Sequence, residues 1–212
     1  MSTKTKYPYF DSLELLLEND FLFKPFKPLI PVKAGNNIPE MLFSKDFGKW
    51  QQYVNGAKAT GPIPFAKFNA QPLVVAFYSQ YWGQAGITQL LHLNKLHHEV
   101  KAVGGNLVVV IPHKETLLPK LAWKHELTLT FYNDQQNDIA RQFRVFNEDS
   151  PAWNLFTGVD ENVPLLATYV LNAANQILYD HLDLDLSDTF AADEVLNAVH
   201  QAAHDANGRR SA

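Results

Sequence analysis

Two runs of apolar and β-branched residues dominate the middle of the chain. They read LVVAFY at 73–78 and LVVVI at 107–111, and such continuous apolar runs are typical of strands that are covered on both faces of a sheet. Between them, apolar residues recur at a near-helical period from 85 to 103, and Gly104 and Gly105 end the pattern. This pattern predicts a strand, a long helix and a second strand parallel to the first.

The flanking segments predict shorter elements. These are a helix over 118–126, a strand over 127–132, a helix over 138–143, a hairpin of strands at 167–171 and 176–179, and a last helix at about 190–203. A β-α-β unit is thus followed by a β-β-α unit, which predicts an α/β fold with a mixed central sheet and helices on both faces. Upstream, residues 44–46 are predicted to cap a helix that runs through Trp50 and Tyr53.

The N-terminal region differs in composition from the rest. Residues 1–34 are rich in Phe and Pro, and prolines at this density disfavour regular helix. We expect this arm to wrap the core of its own chain; covering a partner subunit, and so holding a homodimer, is the alternative. Residues 35–205 are predicted to form one α/β domain, and residues 206–212 a disordered tail.

Charge and hydropathy exclude several classes of function. The chain has 18 basic and 22 acidic residues and a net charge of -4, so it presents neither a basic footprint for nucleic acid nor a polybasic patch for membranes. We find no signal peptide and no apolar run near the roughly 18 residues that a membrane span needs. We therefore expect a cytoplasmic protein whose partner is an unknown small molecule or protein.

The connection between the first strand and the long helix carries the most informative motif. It reads YWGQAG at 81–86. A strand, a tryptophan and a helix start in this order are the setting in which thioredoxin-like redox proteins present two cysteines spaced C-x-x-C. Here Gly83 and Gly86 stand at the two cysteine positions, and the whole chain contains no cysteine. We call this place the vestigial site.

Further segments extend this likeness along the chain. They are VKAGNNIP at 32–39, KHEL at 124–127, ARQF at 140–143 and VPLLATYV at 163–170. In order and spacing they resemble the AhpC/TSA (alkyl hydroperoxide reductase / thiol-specific antioxidant) family, specifically its peroxiredoxin-like branch. The resemblance covers roughly Val32 to Val199 and implies a thioredoxin fold. It also implies catalysis by a thiolate at a helix N-terminus, for which this chain has no sulfur.

The resemblance implies a third redox position, a cis-proline that faces the cysteines and precedes the Ala-Thr pair. Leu166 stands at that position. A cis bond before a non-proline residue costs about 2.5–4 kcal/mol, so we expect a trans peptide and a rearranged loop. Because all three redox positions are lost together, we expect a repurposed site with neither thiol peroxidase nor disulfide oxidoreductase activity.

The implied fold would place five side chains around the vestigial site. They are Tyr78, Tyr81, Trp82, Gln84 and Thr168. An aromatic wall with one amide and one hydroxyl would suit a small molecule or a peptide, and the helix start could hold an anion. The alternatives are that the aromatic residues are core or rim packing and that the glycines only permit a tight turn.

A second candidate site follows the predicted hairpin. His181, Asp183 and Asp185 alternate with leucines, so a strand would place all three on one face, where they could bind a divalent metal. The alternative is a half-buried strand whose solvent face is polar. We expect no cofactor.

Three functions remain open at this point. We expect a non-catalytic binding or regulatory module that uses the surface of the vestigial site. The alternatives are an enzyme with non-thiol, metal-assisted chemistry at the second candidate site, and a scaffold that acts through self-association of its arm.

Overall fold

The computed structural model describes residues 28–38, 43–61, 70–112, 117–186 and 189–210. Its strands are β1 (Trp50–Val54), β2 (Ala57–Ala59), β3 (Leu73–Phe77), β4 (Asn106–Ile111), β5 (Thr130–Asn133), β6 (Ala167–Leu171) and β7 (Ile177–Leu182). Its helices are α1 (Gly83–Ala102), α2 (Leu118–Lys124), α3 (Asp138–Gln142) and α4 (Ala192–Arg210). Short 3-10 turns lie at Phe47–Lys49, Gln80–Trp82 and Ala152–Asn154.

The described strands form one mixed sheet in the order β2-β1-β5-β4-β3-β6-β7. β3 is parallel to β4, and β4 is parallel to β5. The other neighbouring pairs are antiparallel. This confirms the predicted α/β class and the mixed sheet, with β3, α1 and β4 as the predicted parallel unit.

The sheet separates two hydrophobic clusters. Successive residues of a strand point to opposite faces, so β3 contributes Val75 and Phe77 to one cluster and Val74 and Ala76 to the other. α3 packs on the first cluster, and α1 and α4 pack on the second. All of β3 is buried, as its continuous apolar run predicts.

The helix predicted through Trp50 and Tyr53 is wrong. Asp46 caps only a single 3-10 turn, where its Oδ1 accepts the N–H of Gly48 at 2.9 Å, and the chain then enters β1. Asn55 and Gly56 both have positive φ and join β1 to β2 in a tight hairpin. An Asn-Gly pair is a strong hairpin signal, so the sequence did contain the information that favours strands here.

The described part of the N-terminal arm packs on its own chain. Val32 is buried, and its N–H donates to the carbonyl of Phe143 at 3.1 Å. Lys33 Nζ lies 2.9 Å from the carboxylate of Asp180 on the edge strand β7. Leu29 and Val32 therefore pack on the core of their own chain, whereas residues 1–27 lie outside the described part of the chain and the role of the arm stays a prediction.

The last helix is longer than its sequence pattern predicts. α4 extends to Arg210, so residues 206–210 continue the helix and do not form the predicted tail. Asn207 and Gly208 are weak helix formers and suggested an earlier end. However, a helix that is already nucleated extends at little cost, and the local composition of 206–210 does not show this effect.

Candidate functional site

The vestigial site lies where β3 passes into α1. Ser79 Oγ accepts the N–H of Tyr81 at 3.3 Å and starts the 3-10 turn that ends at Trp82. Gly83 then adopts φ 52° and ψ -128° and opens the helix. This is the backbone conformation of the first central residue of a type II′ turn, which glycine dominates. A Cβ atom at this position would meet nothing within 4 Å, so backbone conformation, and not lack of space, requires glycine at 83.

Gly86 is required for a different reason. It lies in the first turn of α1 and is buried. A Cβ atom there would lie 2.9 Å from Cε2 of Tyr78, 3.1 Å from Cβ of Trp82 and 3.2 Å from the carbonyl oxygen of Ser79. The Tyr78 ring therefore occupies the space that a side chain at 86 needs, and a cysteine would fit only if the ring moved.

Trp82 is part of the core. Only 4% of its surface is exposed. Its Nε1–H donates to the carbonyl of Pro164 at 2.9 Å, and its ring packs edge-to-face on Phe156 with the centroids 4.9 Å apart. The segment around Pro164 and Leu166, where the resemblance implies a cis-proline, is therefore hydrogen-bonded directly to Trp82.

The peptide bond before Leu166 is trans, as expected. The Leu166 side chain is buried, and its carbonyl accepts the N–H of Asp183 at 3.1 Å. Leucine thus serves as a core residue at the position where the resemblance implies proline.

Thr168 is fully buried on the other face of the sheet. Its Oγ1 accepts a hydrogen bond from Nε2 of Gln89 at 3.3 Å. The same Nε2 lies 3.4 Å from the carbonyl oxygen of Ala167, and Oε1 of Gln89 is buried with no partner. Sequence reasoning missed Gln89. The signal was available, because Gln89 shares a helix face with Gly86 and Leu93 at three- and four-residue spacing.

The five side chains expected around the vestigial site do not share one environment. Tyr78, Trp82 and Thr168 are buried, Tyr81 is 36% exposed and Gln84 is exposed. The buried aromatic residues act as core packing, which was the alternative interpretation. Tyr81 and Gln84 remain accessible at the start of α1, and we call this surface the rim.

The second candidate site is not assembled. His181 pairs with Thr168 on β6, but β7 ends at Leu182. Asp183 and Asp185 therefore lie beyond the strand, and the two-residue alternation does not bring them onto the face of His181. Among the residues that the structure describes, no three His, Cys, Asp or Glu side chains are placed to hold a metal ion. The alternation of polar residues with leucines predicted one strand face, but it does not show where the hydrogen-bonded strand ends.

A buried histidine with a shifted pKa lies elsewhere on α1. His97 is 4% exposed, and its Nδ1 has no hydrogen-bond partner. Burial lowers the pKa of His97 to about 4, and the nearby charges of Lys101 and His98 act in the same direction. The His97 imidazole is therefore neutral at physiological pH and adds no charge near the rim.

The sheet order and the β3–α1 connection define a peroxiredoxin-like protein of the thioredoxin fold, and the chain contains no cysteine. Residues 49–180 match the AhpC/TSA family, and the chain belongs to that family. No curated protein matches the chain in sequence. None of the described helices is long and apolar enough to cross a membrane.

Solved peroxiredoxins share the fold at low identity. The reduced 2-Cys peroxiredoxin of Plasmodium vivax is 16% identical, with a TM-score of 0.55 over 82% of this chain and 83% of that one. AhpC of Enterococcus faecalis is 14% identical, with a TM-score of 0.58 over 81% and 95%. Peroxiredoxin Q of Xanthomonas campestris is 19% identical, with a TM-score of 0.54 over 81% and 99%.

Proposed function

We propose that this protein is a non-catalytic binding module built on a peroxiredoxin-like fold. The observation that carries the proposal is the packing of the Tyr78 ring against Gly86. A peroxidase of this family needs an accessible thiolate at the start of the helix. Here the chain has no cysteine, and the space for a side chain at 86 is filled by core.

The accessible rim supports binding of a protein partner more than binding of a small molecule. Tyr81 and Gln84 present an aromatic ring and an amide at the surface. Trp153 and Leu155 are 49% and 44% exposed and lie within three residues of Phe156, which packs on Trp82. Exposed aromatic and aliphatic side chains beside polar groups are typical of interaction surfaces. A small molecule would find little surface to enclose it here, because Trp82 and Tyr78 are buried in the core.

The metal-assisted alternative is not part of this proposal. Its three residues are separated by the end of β7, and no other described feature favours it.

A crosslinking experiment tests the proposed surface. A photoreactive phenylalanine placed at Tyr81 or Gln84 in cells is expected to capture one discrete partner, and Trp153→Ser is expected to weaken that capture. The same probe at Lys120, an exposed residue of α2, serves as the control. The same adducts from Lys120, or no adduct from the rim, would contradict the proposal.

The loss of thiol chemistry is tested separately. Purified protein supplied with peroxide and a thiol reductant is expected to show no turnover above the buffer alone. Sustained turnover would refute the non-catalytic interpretation whatever the crosslinking result.

A further inference from the structure

An open cavity lies beside α3, away from the β3–α1 connection. Its volume is about 680 Å³, within the usual range of small-molecule sites, about 300–1,000 Å³. Apolar side chains and charged side chains both contribute to its described lining. Its lining includes Leu29, Ile30, Phe146, Arg141, Arg144 and Glu148. We call it the arginine cavity.

The two arginines of the cavity differ in their partners. Arg141 Nη2 lies 2.6 Å from the Glu148 carboxylate, and Nη1 lies 3.6 Å from that of Asp138. Nη1 also donates to the carbonyl of Gln136, and the guanidinium stacks over the Phe146 ring with its carbon 5.6 Å from the centroid. The charge of Arg141 is therefore already compensated by neighbouring groups.

Arg144 has no such compensation among the residues that the structure describes. It is exposed, it borders the cavity and it forms no ion pair there. Ile30, which is 71% exposed, borders the same cavity, as does Leu29, which packs partly on the core. An uncompensated cation thus lies beside accessible apolar surface.

The backbone conformation at Arg144 is one that favours glycine over arginine. Arg144 has φ 55° and follows the C-terminus of α3. Its N–H donates to the carbonyl of Arg141 at 3.0 Å, and that of Val145 donates to the carbonyl of Ala140 at 3.1 Å. This is the Schellman pattern, in which glycine is the favoured residue. Arginine destabilises the turn relative to glycine. Its guanidinium, however, borders the cavity.

We propose that the arginine cavity binds a small carboxylate with an apolar body. Arg144 receives the carboxylate, because a planar guanidinium can donate two parallel hydrogen bonds to its two oxygens. Leu29 and Ile30 cover the apolar part of the ligand. This site is separate from the rim proposed above, and either can fail without the other.

The test uses 4-phenylbutyrate as the probe and isothermal titration of the full chain. We expect saturable binding, and we expect the neutral analogue 4-phenylbutanol to bind at least about tenfold more weakly. Arg144→Gly is expected to weaken binding of 4-phenylbutyrate by at least about tenfold while it raises the melting temperature. The substitution suits the turn, so loss of folding will not explain loss of binding.

Glu126→Gly is the matched control. Glu126 also has positive φ and follows the end of a helix, α2, with the same backbone hydrogen-bond pattern, and it does not border the cavity. It is expected to raise the melting temperature and to leave binding unchanged. Equal binding by Arg144→Gly, equal binding of the alcohol, or no saturation up to about 10 mM probe would each overturn the proposal.

Discussion

The vestigial site and the arginine cavity border the same hydrophobic cluster but differ in what they leave accessible. At the vestigial site Trp82 belongs to that cluster, its indole N–H is hydrogen-bonded, and the space at Gly86 is filled. At the arginine cavity Phe146 belongs to the same cluster, but an uncompensated cation and apolar surface remain open. The two places therefore differ in accessible space: side chains fill the space at Gly86, whereas the arginine cavity is open.

The largest expected effect tests whether Trp82, at the vestigial site, is a core residue. Trp82→Ala removes a buried indole and its hydrogen bond to Pro164, and we expect a loss of about 3–5 kcal/mol in the free energy of unfolding. Trp153→Ala, at a half-exposed tryptophan, is expected to cost less than about 1 kcal/mol. Denaturant unfolding of both variants measures the difference. Equal effects would mean that Trp82 is not a core residue.

The second prediction concerns pH and the buried face of α1. His97 has a folded pKa of about 4, below the unfolded value of about 6.5, so its contribution is fully present above pH 6.5. That contribution is lost as the pH falls from about 6.5 towards 4. Unfolding measured across this pH range is expected to show the loss.

Two variants isolate the His97 contribution. His97→Leu is expected to flatten this part of the stability profile, and His200→Gln, at an exposed residue of α4, is expected to leave it unchanged. An unaltered profile in His97→Leu would contradict the assignment.

The third prediction concerns the helix that frames the arginine cavity. The Asp134 carboxylate accepts the N–H groups of Asp138, Ile139 and Ala140, each at 3.0 Å. Burial raises the pKa of Asp134, while these backbone donors oppose the rise. Asp134→Ala leaves buried donors unpaired and is expected to cost about 2 kcal/mol.

The control for Asp134 is Asp134→Asn, which keeps one acceptor oxygen. Its thermal unfolding should show roughly half of the loss. If alanine and asparagine destabilise equally, the carboxylate does not anchor α3 in the way described.

The smallest expected effects separate the two glycines of the vestigial site. Gly83→Ala strains the backbone and Gly86→Ala overlaps the Tyr78 ring, and each is expected to cost about 1–2 kcal/mol. A second substitution, Tyr78→Leu, removes the ring. It is expected to reduce the effect of Gly86→Ala and to leave that of Gly83→Ala unchanged, so a double-mutant cycle by denaturant unfolding should show coupling only at 86. Coupling at both positions would mean that lack of space explains both glycines.

The sequence predicts the centre of the fold well, because local signals define it. The apolar runs of β3 and β4 and the helical period of α1 each need only their own residues. β1 was missed, because its pairing with β5 is non-local and outweighs local helix signals. The Asn55-Gly56 turn was the available clue.

The state of the vestigial site depends on information that a linear pattern lacks. The sequence shows that no thiol is present, but not that the Tyr78 ring packs into the space beside Gly86. The end of β7 at Leu182 likewise results from tertiary pairing. Arg144 carries no motif at all, and its setting appears only once the end of α3 is placed.

The most direct measurement returns a thiol to the vestigial site. We compare Gly86→Cys with Gln84→Cys, whose position is exposed, in their reaction with hydrogen peroxide and with a chromogenic disulfide reagent. We predict that the thiol of Gly86→Cys reacts at least about tenfold more slowly in the folded protein and at the same rate in denaturant. A Gly86→Cys thiol that reacts with peroxide as fast as that of Gln84→Cys in the folded protein would contradict a site closed by core packing.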